Sequence, residues 1–204
     1  MLLTIAILMS FHSHPASIFE KGLGVLPADT VLVRLHEVIP GMLTDVKYAT
    51  PDNFTKQILY KSDVLFARRF ALENLKGAQH DAQVLGLQLK VFDAYRPHSV
   101  QKIMWALVPD ERYVADPAKG SRHNRGCAFD LTLCDRNGNE LEMGTQYDEF
   151  TEASSFDFKE ISDTAEKNRK LLNSIMTKNG FTVLPSEWWH YDALGWENFS
   201  ILDL

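Results

Sequence analysis

The sequence predicts an α+β fold: a single domain with a central antiparallel sheet packed with two long helices. Three observations lead there. Residues 62–85 and 162–179 each carry apolar side chains at helical spacing over several turns. Short apolar runs bounded by turn residues read as strands. The two kinds of element are mixed without the regular βαβ alternation of a parallel sheet. With 204 residues, 45% of them hydrophobic and 24% charged, the chain is long enough for one proper core.

Taken in order, "VLVRLHEV" (31–38) alternates enough for a strand. The turn-rich "IPGMLTDVKYATPDNFT" then predicts an ordered loop anchored by Leu43, Val46, Tyr48 and Phe54. The first long helix is expected from Ser62, a suitable cap. It carries a stripe of Val64, Leu65, Ala67, Ala71, Leu72, Leu75, Ala78 and Ala82, and Gly86 stops it. "LQLKVFDAY" reads as a strand ending near Asp93. Arg96-Pro97 opens a turn, and Ser99 to Leu107 forms a short helix with Pro109 just beyond. A loop over 110–125 leads into a strand from Cys127 to Cys134. Asn137-Gly138 signals a hairpin, with "LEMGTQYDEF" as its return strand followed by loop. Ser162 to Asn179 is the second long helix, with Leu171, Leu172, Ile175 and Met176 inward and Gly180 at its end. "FTVL" and "WWHYDAL" are short strands around Pro185.

The net charge of −6 argues against a nucleic-acid partner, which would call for a basic face. Cys127 and Cys134 on one strand would lie about 23 Å apart at about 3.3 Å per residue, too far to bridge; they read as small buried fillers. The N-terminal "MLLTIAILMSF" has the length of a signal-peptide core, and "SHPAS" supplies small residues for cleavage, but no Lys or Arg precedes it. Residues 1–20 are therefore expected to be a signal peptide, with export to the periplasm or beyond, or else a buried N-terminal strand or apolar tail on a cytoplasmic protein. The run is too short to span a bilayer. The main domain is expected over 25–204. Oligomeric state is not legible.

The chemistry concentrates in two places. In "GSRHNRGCAFDLTL", Asp130 stands inside a buried apolar run, where a carboxylate needs a cation or a metal. His123 and Asp130 would face opposite ways on an uninterrupted strand, and Gly126 can break that parity. In "SEWWHYD", Glu187 and His190 could converge at a strand entrance. His123, Asp130 and His190 are ligand types that suit Zn²⁺ with a fourth position left for water, and Glu187 would be the base. Taken singly, these spacings also fit a salt-bridged aspartate and a core histidine.

Together, "KYATPDNFT", "FDAYRP", "SRHNRGCAFD", "MGTQYD" and "EWWH", five separated motifs in the right order from about Asp45 to Asp192, resemble the zinc D-alanyl-D-alanine dipeptidases. The resemblance implies a Hedgehog and D-Ala-D-Ala-peptidase-like fold, one Zn²⁺ per chain and a small dipeptide substrate from peptidoglycan metabolism. It assigns His123, Asp130 and His190 as zinc ligands, Glu187 as base and Arg96 as the group polarising the scissile carbonyl. It assigns Ser121 and Asp148 to the substrate's ammonium end. A D,D- or L,D-carboxypeptidase on longer wall peptides and a non-catalytic binding module on the same fold are the alternatives. Trp188, Trp189, Tyr48 and Phe54 are expected to be mostly core, with a cavity wall as the other possibility.

Overall fold

The computed structural model describes residues 31–204. The expected signal segment and the boundary at residue 25 lie outside the described residues. A short antiparallel pair, β1 (Leu32–Arg34) and β3 (Phe66–Arg68), stands beside a five-stranded sheet. That sheet runs β2 (Leu43–Thr44), β4 (Gln88–Asp93), β5 (Ala128–Cys134), β7 (Glu187–Ala193), β6 (Phe181–Leu184). Every pairing in it is antiparallel except β2 with β4, which is parallel at the edge. The α+β expectation therefore holds, with one parallel edge strand added.

Two 16-residue helices, α2 (Arg69–Val84) and α4 (Asp163–Lys178), pack on each other and on the sheet. α2 buries Ala71, Leu72, Leu75, Ala78 and Ala82, and α4 buries Ala165, Leu172, Ile175 and Met176, each a stripe at helical spacing. They close over Leu89, Val91, Phe129, Leu131, Leu133, Tyr191 and Ala193 from one face of the sheet. Ser162 caps α4 by accepting from Ala165 N at 3.0 Å. The shorter α1 (Leu35–Val38) and α3 (His98–Leu107) complete the helices.

Three expectations need correction. The strand expected over 31–38 stops at Arg34 and turns into α1. The first long helix begins at Arg69, not Ser62, because Phe66–Arg68 pair with β1. Arg69 N–H donates to Val31 O at 2.9 Å, which satisfies a free donor of the first turn. Ser62 instead accepts from Val64 N, and Val64 is exposed. After Gly138, whose φ of +85° makes the turn, the return strand shrinks to one bridge, Cys134 with Glu140. The chain then leaves the sheet as a loop toward the site.

Arg169 of α4 holds that loop. It is 1% exposed and donates to the carbonyls of Met143, Ala153 and Ser155 at 2.7–2.9 Å. Cys127 and Cys134 are buried and free, as expected. No helix among the described residues is long and apolar enough to cross a membrane.

Candidate active site

Opposite the helices, the sheet carries polar side chains in one row. Asp93 on β4 pairs in register with Asp130 on β5, and Asp130 pairs with His190 on β7. A register shift between Val91 and Asp93 sets the Asp93 end of the row. Asp192, two residues beyond His190, faces the same way. A second shift pairs Leu184 with Glu187 but Val183 with Tyr191, so β7 bulges between Glu187 and His190. That bulge lets residues three apart converge: Glu187 Oε2 lies 3.9 Å from His190 Nδ1. His123 arrives from a 3-10 turn, His123–Arg125, that ends in Gly126 at φ +70°. The parity break expected at Gly126 is thus made by a left-handed residue, a conformation glycine adopts without penalty.

His123 Nε2, Asp130 Oδ1 and His190 Nδ1 lie 3.0–3.2 Å from one another. Their proton inventory decides what belongs between them. His123 Nδ1 is 2.7 Å from Ala94 O, which can only accept, so Nδ1 carries the proton and Nε2 a lone pair. His190 Nε2 is 2.9 Å from Asp192 Oδ1, so it donates there, and Nδ1 presents a lone pair once its own proton is displaced. Three lone pairs then point at one spot, and they need a cation. Tetrahedral zinc with bonds of about 2.0–2.1 Å would hold its ligand atoms about 3.3 Å apart, close to the spacing found. The donor set fits a divalent metal, and these three residues are the candidate metal group among the described residues.

Around them is a cavity of about 110 Å³. Arg96 is buried on its wall. Its Nε and Nη2 donate to Asp93 Oδ2 at 3.0 and 2.8 Å, and Nη1 donates to Gln101 at 3.0 Å. Two of its five N–H groups remain, and Nη2 stands 3.7 Å from Asp130 Oδ2. Glu187 is 7% exposed, and burial, with the charge of Asp130 added, pushes its carboxyl up to about 8 against the opposing pull of His190. Asp148 has φ +58°, a left-handed conformation that Asp tolerates better than most residues. Both its oxygens accept from Tyr48 Oη, at 3.0 and 3.2 Å. Burial and then the charge of Asp130 hold this carboxyl well above the usual range. Ser121 also lines the cavity, and its Oγ accepts from His123 N.

All seven sequence-predicted residues thus line one cavity. Tyr48 and Phe54 are wall, whereas Trp188 and Trp189, 2% and 1% exposed, are core. Sequence reasoning missed four supporting groups. Asp93 fixes Arg96, and Asp192 fixes His190. Tyr147 donates to Asp130 Oδ2 at 3.0 Å. Asn124 joins Ser121 N to Arg96 O at 2.7 and 2.9 Å. The available signal was an acid two residues from a ligand histidine and another three before Arg96.

Two imidazoles and a carboxylate around an open metal position, with a buried acid and an arginine alongside, define a metallopeptidase. The family model and the curated relatives agree that it is a peptidase. A family model described as D-ala-D-ala dipeptidase, in the peptidase M15 group, matches residues 28–198, and the chain belongs to that family. It is 42% identical over 163 residues to a D-alanyl-D-alanine dipeptidase of Escherichia coli (strain K12), covering 80% of this chain and 84% of that one. It is 33% identical over 181 residues to one of Enterococcus faecalis (strain ATCC 700802 / V583), covering 78% and 90%. Among solved structures, that of the LdcB LD-carboxypeptidase matches with a TM-score of 0.48 and 20% identity, over 86% of this chain and 72% of that one.

Proposed function

We propose that the protein is a zinc-dependent dipeptidase that hydrolyses D-alanyl-D-alanine in peptidoglycan metabolism, with one zinc per chain held by His123, Asp130 and His190. The observation that carries this reading is the charge balance of the cavity. Asp93 is paired with Arg96, and Asp192 faces Arg122 at 3.5 Å. Asp130, Asp148 and Glu187 are left without a matched basic side chain of their own. A divalent metal and the ammonium of a small substrate would supply three positive charges opposite these three carboxyls and so let all of them ionise. Burying those carboxylates uncompensated would be costly. The choice of D-alanyl-D-alanine rests on the relatives that carry that name.

When bound, zinc would polarise the scissile carbonyl and acidify a water. Glu187 takes a proton from the attacking water and passes it to the leaving amine; burial, which disfavours its charged form, strengthens it as a base. Arg96, held rigid by Asp93 and Gln101, turns its remaining N–H groups toward the oxygen that becomes negative. Asp148, oriented by Tyr48, holds the substrate ammonium. Ser121 Oγ accepts from His123 N, and its second lone pair can accept from the same ammonium.

The test is zinc content together with release of D-alanine from D-alanyl-D-alanine, in wild type and Glu187→Ala. The expected result is one zinc in each and turnover in wild type alone. A zinc-loaded wild type that releases no D-alanine, or a Glu187→Ala variant that keeps its rate, would refute the assignment.

A further inference from the structure

We propose that Arg122 grips the free carboxylate of the substrate and so sets the C-terminal length limit; this rests on the dipeptidase reading above. Arg122 occupies a position that the Ser-x-His motif leaves variable, so the inference concerns this chain's own residue. Three arginines line the cavity. Arg96 is hydrogen-bonded to Asp93 and Gln101, and Arg112 to Asp110. The Arg122 side chain alone among them makes no hydrogen bond to a described residue. Its Nε is buried without an acceptor, with Asp192 Oδ2 3.5 Å away. A guanidinium has five donors in a planar fork that matches a carboxylate.

Its position suits that ligand. Arg122 precedes the metal-group residue His123 in the chain, and its neighbour Asp192 accepts from His190. The guanidinium is therefore one side chain removed from the metal ligands. In a dipeptide the terminal carboxylate is a single residue, about 3.8 Å of chain, beyond the scissile bond. Trp196 lies under the guanidinium, 4.7 Å from Cζ to the ring centroid, and restricts its motion. Asp148, with its Tyr48 partner, shares no contact with Arg122. The cavity thus has an anion for the ammonium and, apart from it, a cation for the carboxylate. A peptide extended at its C-terminus would place a neutral amide against Arg122.

The experiment compares D-alanyl-D-alanine with D-alanyl-D-alaninamide in zinc-loaded wild type, Arg122→Gln and Arg122→Lys, with zinc content measured in each. Wild type should prefer the free acid. Arg122→Gln should raise KM for the acid about 10- to 100-fold, the range for a lost hydrogen bond to a charged group, with kcat and zinc content little changed. The amide should be affected little, so the preference collapses, and Arg122→Lys should restore part of it. An unchanged acid-to-amide preference in Arg122→Gln would overturn the proposal. So would equal losses on both substrates or loss of zinc, which would mean that Arg122 acts through Asp192 and His190. A wild type that cleaves neither substrate would instead defeat the dipeptidase reading, and the proposal with it.

Discussion

Asp148→Asn separates a dipeptidase from an enzyme that acts on longer peptides. In the wild type the carboxyl is buried and, among the described residues, accepts only from Tyr48, so a substrate ammonium would meet it with little screening. Removing one partner of a buried, hydrogen-bonded charge pair costs about 2–5 kcal/mol. The lower part of that range applies here. Burial and the charge of Asp130 keep the Asp148 carboxyl protonated well above its usual range, and part of the attraction goes into ionising it. About 2–3 kcal/mol corresponds to roughly 30- to 150-fold in kcat/KM at 1.36 kcal/mol per decade. The asparagine keeps the shape and can still accept from Tyr48, so folding and zinc content should not change. The assay is kcat/KM for D-alanyl-D-alanine beside N-acetyl-D-alanyl-D-alanine. Wild type should reject the acylated substrate, because that substrate leaves a buried carboxylate unpaired. In the variant the preference for the free amine should fall by the same factor. If the ratio of the two substrates stays constant while both rates drop together, Asp148 does not hold the ammonium.

Arg96→Ala should cost about 10²–10³ in rate or more, mostly in kcat, because the group acts on charge that develops during reaction; steady-state kinetics with unchanged kcat would remove it from that role. Asp192→Asn should weaken zinc binding about 10- to 100-fold, since Asp192 fixes which His190 nitrogen carries the proton; competition against a chromogenic chelator measures it. Zinc uptake should release a proton. Burial disfavours the charged form of His190, but Asp192 and Asp130 outweigh it and hold the imidazole pKa well above its ordinary value. Below that pKa the metal must displace a proton from Nδ1, so affinity should fall about tenfold per unit as the pH drops. Titrations in buffers of different ionisation enthalpy would count the proton released.

The metal group was legible because its oddity is local. An aspartate in "CAFDLTL" breaks the apolar pattern of a buried strand, and a glycine stands where the chain must change parity. Glu187 and His190 were legible as a pair but not as neighbours on one strand, because the β7 bulge depends on pairing with β6. The start of the first long helix was misplaced because Val64, Leu65 and Ala67 fit a helical stripe and a strand equally well; pairing with β1 decides it, and that is a long-range contact. The return strand after Gly138 failed for a similar reason. Its residues are drawn off by Arg169, whose role as a staple no local pattern announces.

The supporting carboxylates show why charge was harder to read than ligands. Asp93 and Asp192 look alike in sequence to Asp130 and Asp148, as acids within or beside apolar runs. What separates them is what each faces after folding. Asp93 meets a guanidinium at 2.8 Å and Asp192 meets an imidazole N–H at 2.9 Å, so each is satisfied inside the protein. Asp130 meets Tyr147 and the two imidazole nitrogens turned toward the metal position, and Asp148 meets, among the described residues, only a phenol. The satisfied acids hold machinery in place, and the unsatisfied ones are where a metal and an ammonium fit. Exchanging one class for the other should therefore fail in different ways. Asp93→Asn frees Arg96 and should lower kcat while zinc is retained. Asp130→Asn removes the anion from the metal group and should lose zinc itself. If both variants lost zinc equally, the division between holding and binding carboxylates would be wrong.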